Sequence, residues 1–271
     1  MLTIVVALHC EASPVISKYK LKKVTDVHHY QFYKNNEINL VISGVGKAAS
    51  AGATGYCHAI NGSPSHSAWL NIGMAGHVGF DLGSGFLVNK IHDNSTRQTW
   101  SPSIIFDPTC ITDKLLTVDR PDSKYQFEGG VDMEAAGYYV TASRFTTSEL
   151  VQCYKVVSDN QHSPVKKIST KEATKLIKEK MEDIDFLIEQ LLNASHDLSA
   201  LYESPIMFDE ICGLFKLSHT EQLQVKDRLR KLYLLNPKAL TNKAILEHQG
   251  SARKLLSTLD HIIDRQEISF P

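Results

Sequence analysis

The sequence predicts an α/β fold followed by an all-helical extension, and three observations carry that prediction. Short apolar runs rich in β-branched residues alternate with helix-like stretches through residues 1–193. Several of those runs end in segments bearing Gly, Asp or Glu, which is where open α/β sheets place a ligand. Beyond residue 193 the strand pattern stops and helical spacing takes over. A chain of 271 residues is long enough for one large α/β domain with an appendage, so the expected division is residues 1–193 and residues 194–271.

Residues 2–8 form an apolar run that reads as a buried strand of a largely parallel sheet. The stretch from His9 to Pro14 reads as a turn into a helix, with Pro14 in the first turn. Residues 30–39 predict a hairpin turning at Asn35 and Asn36, and residues 38–43 the next strand, entering Gly44-Val45-Gly46-Lys47 and then a helix of small residues. A strand at residues 68–72 enters a loop at Gly73-Met74-Ala75-Gly76. Residues 81–85 turn into a strand at 86–91, and residues 92–130 carry little pattern. Asp132 and Glu134 read as the cap and first turn of a helix. A strand at residues 151–157 ends in Ser158-Asp159-Asn160. Ser169 and Glu172 make a capping box that opens one long helix reaching Leu192. In the extension, two helices are expected, one through Leu223, Leu229 and Leu235 and one through Leu255, Leu259 and Ile263; residues 219–233 are also compatible with part of a helix-turn-helix.

Composition excludes several classes. A net charge of −1 gives no electrostatic basis for nucleic acid or a membrane surface. No apolar run approaches the roughly 20 residues that span a bilayer, and no signal peptide is expected. Five cysteines, widely spaced and without a C-x-x-C pair, predict reduced thiols in a cytoplasm rather than disulfides or a zinc site. No metal or cofactor is expected.

Three carboxylates make a set suited to one reaction. Cleaving the N-glycosidic bond of a purine nucleoside needs an acid for the leaving base, a two-oxygen acceptor for the ribose diol, and an activated nucleophile. Asp159 suits the first role, Glu134 the second and Glu11 the third. The segments Ser43-Gly44-Val45-Gly46-Lys47, Asn71-Ile72-Gly73-Met74-Ala75-Gly76, Val131-Asp132-Met133-Glu134-Ala135 and Val156-Val157-Ser158-Asp159 resemble the nucleoside phosphorylase/nucleosidase superfamily. The similarity is greatest to the 5′-methylthioadenosine/S-adenosylhomocysteine nucleosidases.

That resemblance, which spans residues 1–193, implies a three-layer α/β/α sandwich around a twisted mixed sheet, commonly dimeric. It implies Asp159 as the purine-protonating acid, Glu134 as the diol carboxylate with Met133 against the sugar, and Glu11 as the water base. It implies Ala75 and Gly76 beneath sugar and base, Met74 near the nucleophile, Val45 near the sugar, and Thr117 with Val118 at the base-stacking segment. The chain departs from the pattern at Met74, Asp132 and Asn160, in the short stretch between Asp119 and Gly130, and in the extension, which together point to a variant rather than a housekeeping substrate; the substrate class expected is a purine nucleoside, a 5′-modified adenosine first. Hydrolysis is favoured over phosphorolysis. The first arginine is Arg97, and Glu11 stands where phosphorylases bind phosphate. Like charges about 4 Å apart cost on the order of 4 kcal/mol at an intermediate dielectric, roughly a thousandfold in binding. Lys47 is the one cation on offer there. The rival readings are a phosphate-dependent phosphorylase, and a non-catalytic protein that binds a nucleoside or docks a partner. A homodimer without nucleic-acid partners is expected.

Overall fold

The computed structural model describes residues 1–62, 64–121, 124–164, 168–202, 205, 207–236 and 251–266. The chain divides into two compact units, Met1–Leu198 and Ser199–Pro271. The first contains β1 (Leu2–Val6), α1 (His9–Lys18), β2 (Lys22–Lys23), β3 (Gln31–Lys34), β4 (Ile38–Ile42), α2 (Lys47–Asn61), β5 (Ala68–His77), β6 (Gly85–Asp93), β7 (Thr99–Trp100), β8 (Ile111–Thr117), β9 (Gly130–Asp132), α3 (Ala135–Ala142), β10 (Val151–Asn160), α4 (Thr170–Glu179) and most of α5 (Met181–Tyr202). Helix α5 runs unbroken through residue 193, and the division falls at 198/199 instead.

The sheet is mixed. β1 lies between β4 and β5, parallel to both. β5 continues beyond β1 and pairs with β10 in parallel as far as His77 and Asn160. β10 pairs with β6, β6 with β8, β8 with β9, and β9 with β5, so these pairings close into a circuit. The expected loop at Gly73 to Gly76 is therefore strand, because β10 supplies hydrogen-bond partners along its whole length. For the same reason Asp159 sits inside β10, at an irregularity in register between Val157 and Asp159.

Alternation along the strands divides the core. Leu2, Ile4 and Val6 pack in one cluster with Val15 of α1, Ile177 of α4 and Ile184 of α5. Val5, Val41 and Trp69 pack in another with Ala53 and Cys57 of α2 and Tyr138 of α3. Each fully buried Leu, Ile or Val contributes roughly 1.5–3 kcal/mol.

Local chemistry explains where expectation and structure part. His9 to Pro14 is already helix, with Pro14 inside it. Proline has no N–H to offer the Cys10 carbonyl, and Thr174 Oγ1 donates to that oxygen instead, at 2.9 Å. The Asn35 turn holds through Asn35 Oδ1, which accepts from the backbone of Glu37 and Ile38. The long helix expected from the Ser169–Glu172 box is two helices, broken at Lys180, whose N–H turns back to the Ile177 carbonyl.

The second unit holds α6 (Phe208–Leu214), α7 (His219–Leu235) and α8 (Ala252–Asp264) around Ile211, Val225, Leu229, Leu232, Leu255 and Leu259. Residues 219–233 lie in one continuous helix, with no turn among them. The Arg228 fork clasps Asp260 across α7 and α8. Among the described residues, no helix is long and apolar enough to cross a membrane.

Candidate active site

A cavity of about 190 Å³ opens among the ends of β5, β9 and β10. β5 supplies Met74, Ala75 and Gly76, the β9–α3 junction supplies Asp132, Met133 and Glu134, and β10 supplies Ser158 and Asp159. Val118 and Pro121, which follow β8, and Val131 of β9 complete the lining. Val45 stands apart from this lining and is 52% exposed. Thr117 does not offer a stacking surface. It is fully buried, its hydroxyl donates to Asp132 Oδ1 and it accepts from the Ala136 N–H.

The Asp-Met-Glu triplet straddles a strand end and a helix start. Asp132 closes β9, and its Oδ2 accepts from the backbone N–H groups of Glu134 and Ala135, so it serves the start of α3 from two residues ahead of the cap position. Glu134 takes the cap position itself. Its Oε1 accepts from the Gly46 N–H at 2.9 Å. Gly46 has φ +105°, a conformation that favours glycine, and this aims its N–H at the carboxylate. Burial, and then the neighbouring Asp132, push Glu134 above the usual carboxylate range.

Glu11 is buried in the first turn of α1. Its Oε2 accepts from the Leu8 N–H at 2.9 Å and its Oε1 from the Met74 N–H at 3.0 Å, which joins the helix to the cavity-lining part of β5. Glu11 thus stands at the helix start and is bonded to the backbone of a cavity-lining residue. Burial pushes its carboxyl up to about 7, against the pull of those two N–H groups and of Lys155.

Asp159 is buried, with Oδ2 accepting from Tyr125 Oη at 2.6 Å and Oδ1 bonded to Ser158 Oγ. Gly76 lies opposite. A Cβ there would come within 2.7 Å of Asp159 Oδ2, so the close approach of β5 and β10 needs glycine. Asn160, where the family pattern is broken, ties the strand end to neighbouring loops by donating to the Phe80 carbonyl and accepting from the His162 and Ser163 N–H groups.

Sequence reasoning missed Lys155. Its ammonium is sealed from solvent 2.8 Å from Asp132 Oδ2. Burial pushes Lys155 down, but the facing Asp132 and its other neighbours outweigh that and hold it above an ordinary lysine. A Cβ on Gly73 would be 3.3 Å from Lys155 Nζ and 3.6 Å from Glu11 Oε1, so both groups face the same glycine, and the ammonium draws the Glu11 carboxyl downward. The one basic residue of β10, set between Tyr154 and Val156, was the available signal, since a buried cation demands a partner. Tyr125 was also missed, and it lies in the stretch that carried no pattern. Lys47, the cation considered for phosphate, is bound to Asp93 at 2.6 Å and Asp119 at 2.9 Å. Among the described residues, no group of three His, Cys, Asp or Glu side chains is placed to hold a metal ion.

No protein-family model and no curated protein matches the chain. Solved structures do. The 5′-methylthioadenosine nucleosidase of Arabidopsis thaliana in apo form superposes with a TM-score of 0.58 at 19% identity, covering 71% of this chain and 95% of that one. A methylthioadenosine/S-adenosylhomocysteine nucleosidase of Colwellia psychrerythraea 34H, in complex with adenine, gives 0.55 at 16% identity, with 71% and 94% covered. The S-adenosylhomocysteine nucleosidase of Streptococcus pyogenes, in complex with 5-methylthiotubericidin, gives 0.55 at 16%, with 71% and 96% covered. The chain therefore has an α/β fold of the kind found in these nucleosidases.

Proposed function

We propose that the first unit, on a three-layer α/β/α frame, hydrolyses the N-glycosidic bond of a purine nucleoside, with a 5′-modified adenosine as substrate. The observation that carries this reading is the convergence of Glu134 and Asp159 on one cavity, with Glu11 bonded to the backbone of the cavity residue Met74. The likeness to nucleosidases solved with adenine and a nucleoside analogue supports a purine ligand.

In this reading Asp159 gives its proton to a ring nitrogen of the purine as the C1′–N bond breaks and the bonding pair leaves with the base. Glu134 accepts from the ribose hydroxyls, with Met133, Ala75 and Gly76 against the sugar and base, and Val118 beside the base. Glu11 takes a proton from water, and the water oxygen bonds to C1′. A carboxyl near 7 suits a base working at neutral pH. Lys155 holds positive charge beside Asp132 and Glu11 through the cycle. Hydrolysis is favoured over phosphorolysis because Lys47 is committed to two aspartates and Glu11 would repel phosphate. We place the protein in a cytoplasm, which keeps its five free thiols reduced, and expect a homodimer by resemblance.

The test is chromatography of free base after incubation with methylthioadenosine, S-adenosylhomocysteine, 5′-deoxyadenosine, adenosine and inosine, each with and without phosphate. Base release without phosphate, abolished by Asp159→Asn, supports the proposal. Release only with phosphate makes the protein a phosphorylase. Saturable binding without release makes it a nucleoside-binding protein.

A further inference from the structure

We infer that Tyr125 is a positioning residue that acts through Asp159, an inference that rests on the nucleosidase reading above. Tyr125 Oη donates to Asp159 Oδ2 at 2.6 Å, and both side chains are buried. The Ser158 hydroxyl holds the other oxygen. Ser158 and Asp159 line the cavity and Tyr125 does not, so Tyr125 reaches the carboxylate from behind, out of contact with substrate.

The segment that carries Tyr125 is built to present it. The residue has φ +49°, a left-handed conformation that a non-glycine residue keeps only where its surroundings impose it. Gln161 Nε2 donates to the Tyr125 carbonyl at 3.4 Å, just beyond β10. Upstream, Lys47 anchors Asp119 at 2.9 Å. Backbone strain is thus maintained at a residue whose hydroxyl ends on the proposed acid.

The chemistry follows from the direction of the hydrogen bond. When Asp159 passes its proton to the leaving base, a buried carboxylate is left behind. A phenol O–H already aimed at Oδ2 stabilises that anion as it forms, while the phenol keeps its own proton. Before transfer, the same bond fixes the carboxyl relative to the base.

The test compares the full-length wild-type chain with Tyr125→Phe on two substrates, methylthioadenosine and p-nitrophenyl β-ribofuranoside. Nitrophenolate leaves as a stable anion and needs no acid, whereas the purine does. We expect kcat for purine release to fall roughly 10- to 100-fold, with KM changed less than about twofold and nitrophenolate release nearly untouched. Equal losses on both substrates, or a raised KM at constant kcat, would overturn the inference, because a merely structural role predicts them. If the wild-type chain cleaves only the nucleoside, the kcat–KM split decides alone. Should the wild-type chain cleave neither, the nucleosidase reading fails and this inference with it. That outcome differs from turnover in wild type with no selective loss in the variant, which overturns the role of Tyr125 alone.

Discussion

Lys155 Nζ lies 2.8 Å from Asp132 Oδ2 with both side chains sealed from solvent. Asp132 also accepts from Thr117 and from the first N–H groups of α3, so one buried ion pair joins β8, β9, β10 and that helix. Removing one partner of such a pair strands the other charge. Lys155→Met should therefore cost about 3–5 kcal/mol of unfolding free energy, read as a fall in the urea midpoint at neutral pH. Adding Asp132→Asn should recover part of the loss, because the stranded charge is then gone. A single-variant loss below about 1 kcal/mol, typical of an exposed pair, would contradict this account.

The buried Glu11 gives stability an unusual pH dependence. Its folded carboxyl lies near 7, above its ordinary value of 4.5, so the folded protein holds this proton more tightly than the unfolded chain does. That contribution is fully present below 4.5 and is lost as pH rises through about 7, amounting to about 3 kcal/mol across the window. Denaturant titrations of wild type and Glu11→Gln at pH 4.5 and pH 8 test the sign. The wild-type advantage over the variant should shrink as pH rises, and growth with pH would refute the assignment. If Glu11 is the water base, base release should rise through the same window and be lost in Glu11→Gln.

These residues also show how far sequence patterns reach. Local signals marked the capping box at Ser169, the Asn35 turn and the run of β1, because each depends on neighbours in the chain. Glu11, Glu134 and Asp159 were named from residue type and motif, and the fold brings Glu134 and Asp159 to one cavity with Glu11 on its Met74 strand. What escaped depends on partners far away in sequence. Met74 to Gly76 is strand because β10 pairs with it. Lys155 is intelligible only through Asp132, and Tyr125 only through Asp159. Pro14 is tolerated inside α1 because Thr174 satisfies the carbonyl it leaves bare.

Gly76 tests the spacing between β5 and β10. Its absent Cβ leaves room for Asp159 Oδ2, which would otherwise stand 2.7 Å from that carbon. Gly76→Ala must therefore displace the Asp159 carboxylate or part the strands, at about 1–3 kcal/mol for overpacking. If Asp159 is the acid of the proposed reaction, displacing it should lower base release at least about tenfold. The measurement pairs a thermal melt with kcat. Full activity in a folded variant would show that Asp159 tolerates movement and does not act from this position.

Glu134 offers the sharpest test of how the sugar is held. Its Oε1 is engaged by the Gly46 N–H at 2.9 Å, whereas Oε2 takes only a long 3.3 Å contact from the Met133 N–H, which leaves that oxygen acceptor capacity for hydroxyls. Glu134→Gln keeps an oxygen for Gly46, so the melting temperature should move by only a few degrees. It removes the charged acceptor, and a hydrogen bond to a charged group is worth about 1.5–3 kcal/mol, which corresponds to a loss in kcat/KM of about 10- to 150-fold on a riboside. The 2′-deoxy analogue lacks one of the hydroxyls that Glu134 is proposed to hold. Wild type should discriminate strongly against it, and Glu134→Gln should discriminate less. Equal discrimination in the two proteins would mean that the diol is held elsewhere, and Glu134 would then be left with its structural task of fixing the Gly46 turn.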